Sequence, residues 1–376
     1  MKQKGVTIVE LMIAVLIAML AMYAVYRVYE GTERTKRTVV SVGDTQISGL
    51  YSTFLLESSI QNAGSGLMFN GTALVNCPNN PIGSPGRAVN SPIALSLKPL
   101  PVVINPTANA NFDDIYIFAG RSPQNIAPLT VSGGNANTPF GLRPNTVLVD
   151  VNGACASYLV TANINAQPAT EPVSTPVSAN VLGTGDAAPP DGAKLVDLGE
   201  PSRLRFFVDN QNTLQVEVWR LDSGTPHSGH WVRVRTEPVI SGVMLLKAQY
   251  GIDTTVTATN RGTGVTNWVE ATTANNWGMT ALQNADNFAT VAQIKAIRLA
   301  IIVRADEPEN SNTFNQPTTF TVFQNCPTAG ACSAAGSPGG PTQITFDAGT
   351  GPGGTTYRYR MYEKVIPLRN TILNPI

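Results

Sequence analysis

Charge is what this sequence has least of. Asp, Glu, Lys and Arg supply 13% of its 376 residues, about half the usual share. The 25 basic and 25 acidic side chains cancel to a formal net charge of zero. Basic residues nowhere cluster as a nucleic-acid surface requires, which argues against that class of partner. Histidine is scarcer still. His227 and His230 stand three residues apart in H-S-G-H, within a Pro/Gly turn. A zinc site needs further ligands at suitable spacing, so the pair reads as a solvated turn. The same scarcity leaves no base for a catalytic dyad, and no G-x-S-x-G elbow occurs. Asp186, Asp191 and Asp209 sit in loops without an EF-hand pattern, whereas calcium needs about six converging oxygens. The run G-T-G-P-G-G over 349–354 lacks the Lys-Ser/Thr of a phosphate cradle. No cofactor, no metal and no enzymatic activity are expected.

Cysteine is also sparse. Cys77, Cys155, Cys326 and Cys332 are an even number behind an export-type N-terminus, which reads as two disulfides in an oxidising compartment. Four cysteines allow three connectivities. The five Gly- and Ala-rich residues between Cys326 and Cys332 close a small loop cheaply, which favours that bond and leaves Cys77 with Cys155. Free buried thiols are the alternative reading.

What the chain does have is an apolar N-terminus, MKQKGVTIVELMIAVLIAMLAMYAVYRVYE. A basic head, Lys2 and Lys4, ends at Gly5. The 21 residues from Val6 to Tyr26 carry one charge, Glu10. As a helix rising about 1.5 Å per residue they reach roughly 31 Å, enough to cross a bilayer core. The core is too long for a cleaved secretory signal, and no A-x-A site follows it. A carboxylate inside hydrocarbon costs on the order of 2.5 kcal/mol or more, so Glu10 is a functional candidate.

The helix is expected to continue, because no proline occurs before Pro78. Val40, Ile47, Leu50, Phe54 and Leu55 suit one helical face, expected to pack on a sheet, with Arg37, Asp44, Gln46, Glu57 and Gln61 opposite. Gly43 and Gly49 read as kinks or loosened points. A glycine stop at Ala63-Gly64-Ser65-Gly66 gives one helix of about 57 residues, its first half in lipid. An anchor, a linker near Gly31 and a separate helix form the alternative.

The remainder, with 33 Gly and 27 Pro, points to strands and long loops. The proline-rich 77–106 reads as extended and loop-like. Strands are expected over 114–119, 146–151 and 157–161, and a hairpin over 204–208 and 214–221. Further strands are expected over 231–235, 239–250, 296–304 and 357–366, with 296–304 central in its sheet. The tracts 162–193, 253–280, 306–320 and 326–356 read as insertions or loops. Trp268 and Trp277, inside one of them, read as core anchors rather than stacking platforms.

The stretch Gly5-Val6-Thr7-Ile8-Val9-Glu10-Leu11-Met12-Ile13-Ala14 resembles the processing motif of type IV pilins and type II secretion pseudopilins. Three later segments resemble the PilW-type minor pilins, relatives of the J-type pseudopilins. They are 54–66, FLLESSIQNAGSG; 237–253, EPVISGVMLLKAQYGID, through Val243, Leu246, Tyr250, Gly251 and Asp253; and the closing 357–370 with Leu368-Arg369-Asn370. Val6 departs from the Phe usual after the glycine. The resemblance implies cleavage between Gly5 and Val6 by a prepilin peptidase, N-methylation of Val6, and pairing of Glu10 with a neighbouring subunit's N-terminal amine. It implies an α+β pilin-like fold: a leader at 1–5, a membrane helix at 6–29, its periplasmic amphipathic half at 30–63, and a β-rich head at 64–376 on an antiparallel sheet. It implies partnership with other minor and major pilins and with the inner-membrane assembly platform. The protein would sit in the inner membrane, head in the periplasm, and later in the extracellular fibre. Its role would be in pilus assembly and initiation, within a tip or priming complex with other minor pilins; a secretion pseudopilin and a tip adhesin are the alternatives. Intact mass of the membrane-purified protein is expected to fit a methylated Val6 start. A Met1 start would refute processing.

Overall fold

The computed structural model describes residues 5, 7–66, 100–120, 129–132, 135–137, 142–143, 146–150, 157–160, 177–180, 189–221, 231–257, 260, 262, 264–272, 276–282, 288–309, 317, 319–323, 344–348 and 356–372. One helix, Ile8–Gln61 (α1, 54 residues), leads the chain. The Thr7 hydroxyl accepts from the Glu10 amide at 3.3 Å and caps its start. Neither Gly31, Gly43 nor Gly49 breaks it.

Seventeen strands follow among the described residues. In chain order they are Val102–Pro106 (β1), Asp113–Ala119 (β2), Leu129–Ser132 (β3), Asn135–Asn137 (β4), Val147–Asp150 (β5), Ser157–Val160 (β6), Val177–Asn180 (β7), Lys194–Asp197 (β8), Ser202–Val208 (β9), Leu214–Leu221 (β10), Trp231–Ile240 (β11), Val243–Ile252 (β12), Asn267–Val269 (β13), Ile294–Pro308 (β14), Thr319–Val322 (β15), Ile344–Asp347 (β16) and Tyr357–Pro367 (β17). They form antiparallel sheets of order β1-β2-β9-β10-β11, β13-β12-β14-β17, β4-β3-β8-β5-β6-β7, and a β15-β16 pair.

The principal core lies between the first two sheets and the end of α1. Ile104, Ile115, Ile117 and Phe206 meet Leu246, Ile297, Leu299 and Ile301, with Leu56 and Ile60 of the helix closing the cluster. The other side of β14 is covered by the β15–β16 hairpin, through Val322, Phe323 and Phe346 against Ala300, Ile302 and Tyr359. That double burial is why 296–304 is the most apolar strand of the chain, flanked on both sides as expected. The six-stranded sheet keeps a small core of its own, with Val131, Leu148, Tyr158 and Leu195.

Four expectations are corrected. First, of the five apolar residues expected on the sheet only Leu55 packs against the core, and the face of α1 on the sheet is not Val40, Ile47, Leu50 and Phe54. Ser41, Thr45, Gly49, Ser52, Leu56 and Ile60 are the buried helix residues, while Ile47 is 70%, Leu50 55% and Phe54 65% exposed. The reason is close approach. The Tyr362 ring of β17 lies so near Gly49 that a methyl group there would overlap it, and its hydroxyl donates to the Thr45 carbonyl at 3.1 Å. Second, 239–250 is not one strand. Gly242, at φ +75°, breaks it, and a side chain there would strike the Arg304 carbonyl. The chain thereby passes from β11 in one sheet to β12 in the next. Third, the tract read as loop-like before Pro106 carries β1, fully paired with β2. Fourth, 162–193, 253–280, 306–320 and 326–356 include all or part of β7, β13, β15 and β16.

The two glycines of the helix should respond oppositely. Gly49→Ala is expected to destabilise the full chain in detergent by about 1–3 kcal/mol through overpacking. Gly43→Ala meets open space and should stabilise the helix by up to about 1 kcal/mol. Thermal melts of the two variants check the pair, and equal shifts would refute the packing account.

Candidate assembly interface

The candidate functional element is α1. Its residues 8–29 are exposed along nearly their whole length, and the helix is long and apolar enough to cross a membrane. Glu10 sits in the first turn, directly behind the Thr7 cap. A carboxylate is well placed there, because the amide ends of a helix carry partial positive charge. Gly5 precedes the helix and is exposed; Val6 lies outside the described residues. So do Cys77, Cys155, Cys326 and Cys332, together with His227, His230, Asp186 and the 349–354 run.

Above the apolar segment the helix is stitched to the head by polar bonds. Thr38 and Ser41 donate to the Glu309 carboxylate at 3.3 and 3.4 Å, which Arg358 holds from the other side at 2.7 Å. Lys364 pairs with Glu57. Beyond these, Leu56, Ile60 and Ala63 enter the apolar core. The second half of the helix is thus tied to β17 and to the residue that follows β14.

The segments singled out by resemblance meet at one end of this core, and their roles are structural. Gly64, at φ +73°, ends α1, and its amide donates to the Phe118 carbonyl at 2.7 Å. The Asn370 side chain donates to the Ala63 carbonyl at 2.8 Å, so the chain's closing Leu368-Arg369-Asn370 seals the helix terminus. Tyr250, fully buried, accepts the Ile104 amide at 2.6 Å and so joins the five-stranded sheet to the four-stranded one. Burial pushes its hydroxyl up, which keeps it neutral. Gly251 has no side chain because the Trp268 indole lies against it. Asp253 turns the following loop by accepting Thr255 and Gly264 amides at 2.9 and 3.2 Å. The Asp253 amide and the Leu368 amide bond to Gln293 and Lys295 carbonyls, at 2.8 and 2.9 Å, which brings both segments to the start of β14.

Sequence reasoning missed the charged groups that fasten the sheets. Lys247 pairs with Asp113 at 2.6 Å, and the Ala248 amide donates to the same carboxylate. Burial raises the Asp113 pKa, with Lys247 opposing it. Arg205 bridges Asp114 at 2.8 Å and Glu217 at 3.2 Å, and Arg233 adds to Glu217 at 3.0 Å. Strand alternation by itself does not separate such groups from a solvated face. Trp277 packs on the principal core and Trp268 is buried in front of Arg298, so both serve as anchors. No cluster of metal-ligating side chains occurs among the described residues.

Residues 205–370 match the family described as type IV pilus-assembly protein W, and residues 1–26 match the prokaryotic N-terminal methylation motif. The chain carries a PilW-type pilin domain together with a prepilin-like N-terminus. The matched span of this pilin begins within β9 and ends on Asn370, so it takes in the whole four-stranded sheet and the residue that seals α1. The six-stranded sheet, built from 129–197, precedes it. No curated protein matches the pilin, and no solved structure does.

Tyr250→Phe should strand the Ile104 amide without its acceptor and cost about 1–3 kcal/mol. Asn370→Ala, at a partly exposed helix end, should cost about 1 kcal/mol. Denaturant titration of the two variants checks this order; a silent Tyr250→Phe would refute the bridging role.

Proposed function

We propose that this minor pilin is a non-enzymatic subunit of type IV pilus assembly, acting in a priming or tip complex with other minor pilins. The observation that carries the reading is the single carboxylate, Glu10, one turn into an exposed apolar helix that is fastened to its head. On this reading a prepilin peptidase cuts between Gly5 and Val6, and Val6 is methylated. The new ammonium of one subunit then meets Glu10 of its neighbour. Each group alone pays desolvation in the apolar packing of helices, and pairing offsets much of it. The head lies in the periplasm while the helix spans the inner membrane, and both move into the fibre on assembly. The polar stitching to β17 and Glu309 holds the head in one attitude relative to its helix, which a polymerising subunit needs. No cofactor takes part.

One further reading has an observation behind it. The six-stranded sheet has its own core and lies outside the matched span, which suits an added attachment surface at a fibre tip. A role as a type II secretion pseudopilin shares the N-terminal motif but has no structural feature of its own in support.

Glu10→Ala is expected to leave the protein in the membrane and strongly reduce its recovery with sheared fibres. Immunoblots of membrane and fibre fractions check this. Recovery equal to wild type would refute the role of Glu10.

A further inference from the structure

The aqueous half of α1 presents its large apolar side chains to the outside. Val40, Gly43, Ile47, Leu50 and Phe54 are spaced three, four, three and four residues apart. That is the a/d spacing of a two-stranded coiled coil, with Val40, Ile47 and Phe54 at a and Gly43 and Leu50 at d. The sheet side of the helix is occupied by Ser41, Thr45, Gly49 and Ser52, so the stripe faces away from the head. Such a surface is costly in water, because burying apolar area recovers about 25 cal/mol per Å².

We propose that the stripe Val40–Phe54 seats the same stripe of a second copy of this chain, forming a parallel, in-register helix pair in the membrane before assembly. The proposal rests on the reading of the chain as a membrane-anchored pilin. Five features favour a second copy. Anchoring in one membrane in one sense makes any two copies parallel. Val and Ile at a with Leu at d is the combination that favours parallel two-stranded pairing. The head packs on the opposite side of α1, so two heads diverge to either side of the pair without meeting. The flanking positions, Val39, Gln46 and Thr53 on one side and Arg37, Asp44 and Tyr51 on the other, bring no like charges together across the pair. Gly43, with open space around it, admits close approach of the partner backbone. The seam is bounded by Glu33 and Lys36 toward the membrane and by Glu57 and Gln61 beyond. Two heptads would be marginal as free peptides. Here the helices are already formed on their sheets, and the shared membrane raises the effective concentration.

The test uses the full chain in membranes of a host that makes no other pilin. Cysteine is introduced singly at Ile47, Leu50 or Ser48, and the unsubstituted chain under the same oxidant sets the baseline. Ile47→Cys and Leu50→Cys are expected to give a covalent homodimer, and Ser48→Cys, on the sheet side, is not. Adding Leu50→Glu to Ile47→Cys should abolish the dimer, while melting in detergent stays near that of Ile47→Cys alone, because Leu50 is exposed. Absence of a homodimer at both seam positions, or an equal yield at Ser48, overturns the proposal. So does crosslinking in the native host only to a chain of different mass, which would make the occupant another pilin. Alkaline extraction run in parallel separates the two levels. Release from the membrane overturns the anchored-pilin reading beneath the proposal, whereas retention without self-crosslinking overturns the pair alone.

Discussion

The contact on which the rest of the structure depends is the close approach of α1 to β17. It is made by small side chains: Ser41, Thr45, Gly49 and Ser52 on the helix, against Tyr362 on the strand. Small residues let the helix axis settle near the sheet, so that backbone carbonyls such as that of Thr45 come within reach of side-chain donors. A helix held this way need not spend large apolar residues on its own head. Those residues are free for the other side, where they form an exposed stripe that points away from the molecule. The hydrophobic effect therefore acts at one end of the contact, at Leu56, Ile60 and Ala63, and polar geometry acts along the remainder.

Strength in the head is concentrated on β14. It is hydrogen-bonded on both edges and covered on both faces, and it receives the helix as well. The helix meets this strand's end and its neighbour β17 through Glu309, Tyr362 and Lys364, whereas the six-stranded sheet keeps a core of its own. The four-stranded sheet that holds the helix lies within the matched 205–370 span.

The buried ion pairs have a matching logic. Asp113 with Lys247 ties the five-stranded sheet to the four-stranded one. Arg205 with Asp114 and Glu217 ties three adjacent strands together. Removing one partner leaves the other buried and uncompensated, which costs far more than a surface pair does.

Sequence alone determined the membrane-length apolar helix with its lone acid, the antiparallel strand content, the hairpin over 204–221 and the centrality of 296–304. Each follows from local composition and periodicity, which act through neighbours along the chain. It also revealed that Val40, Ile47, Leu50 and Phe54 share one side of a helix. Only the tertiary structure decided that this side faces outward, because a hydrophobic stripe fits a sheet and a partner helix equally well, and the choice lay with Gly49 and a tyrosine more than 300 residues later. The same holds for Gly242, where the passage between sheets depends on the Arg304 carbonyl, and for Asn370, whose role is set by the end of a helix at Ala63. Contacts between residues so far apart leave no periodic trace, and space had to bring them together before their chemistry could be seen.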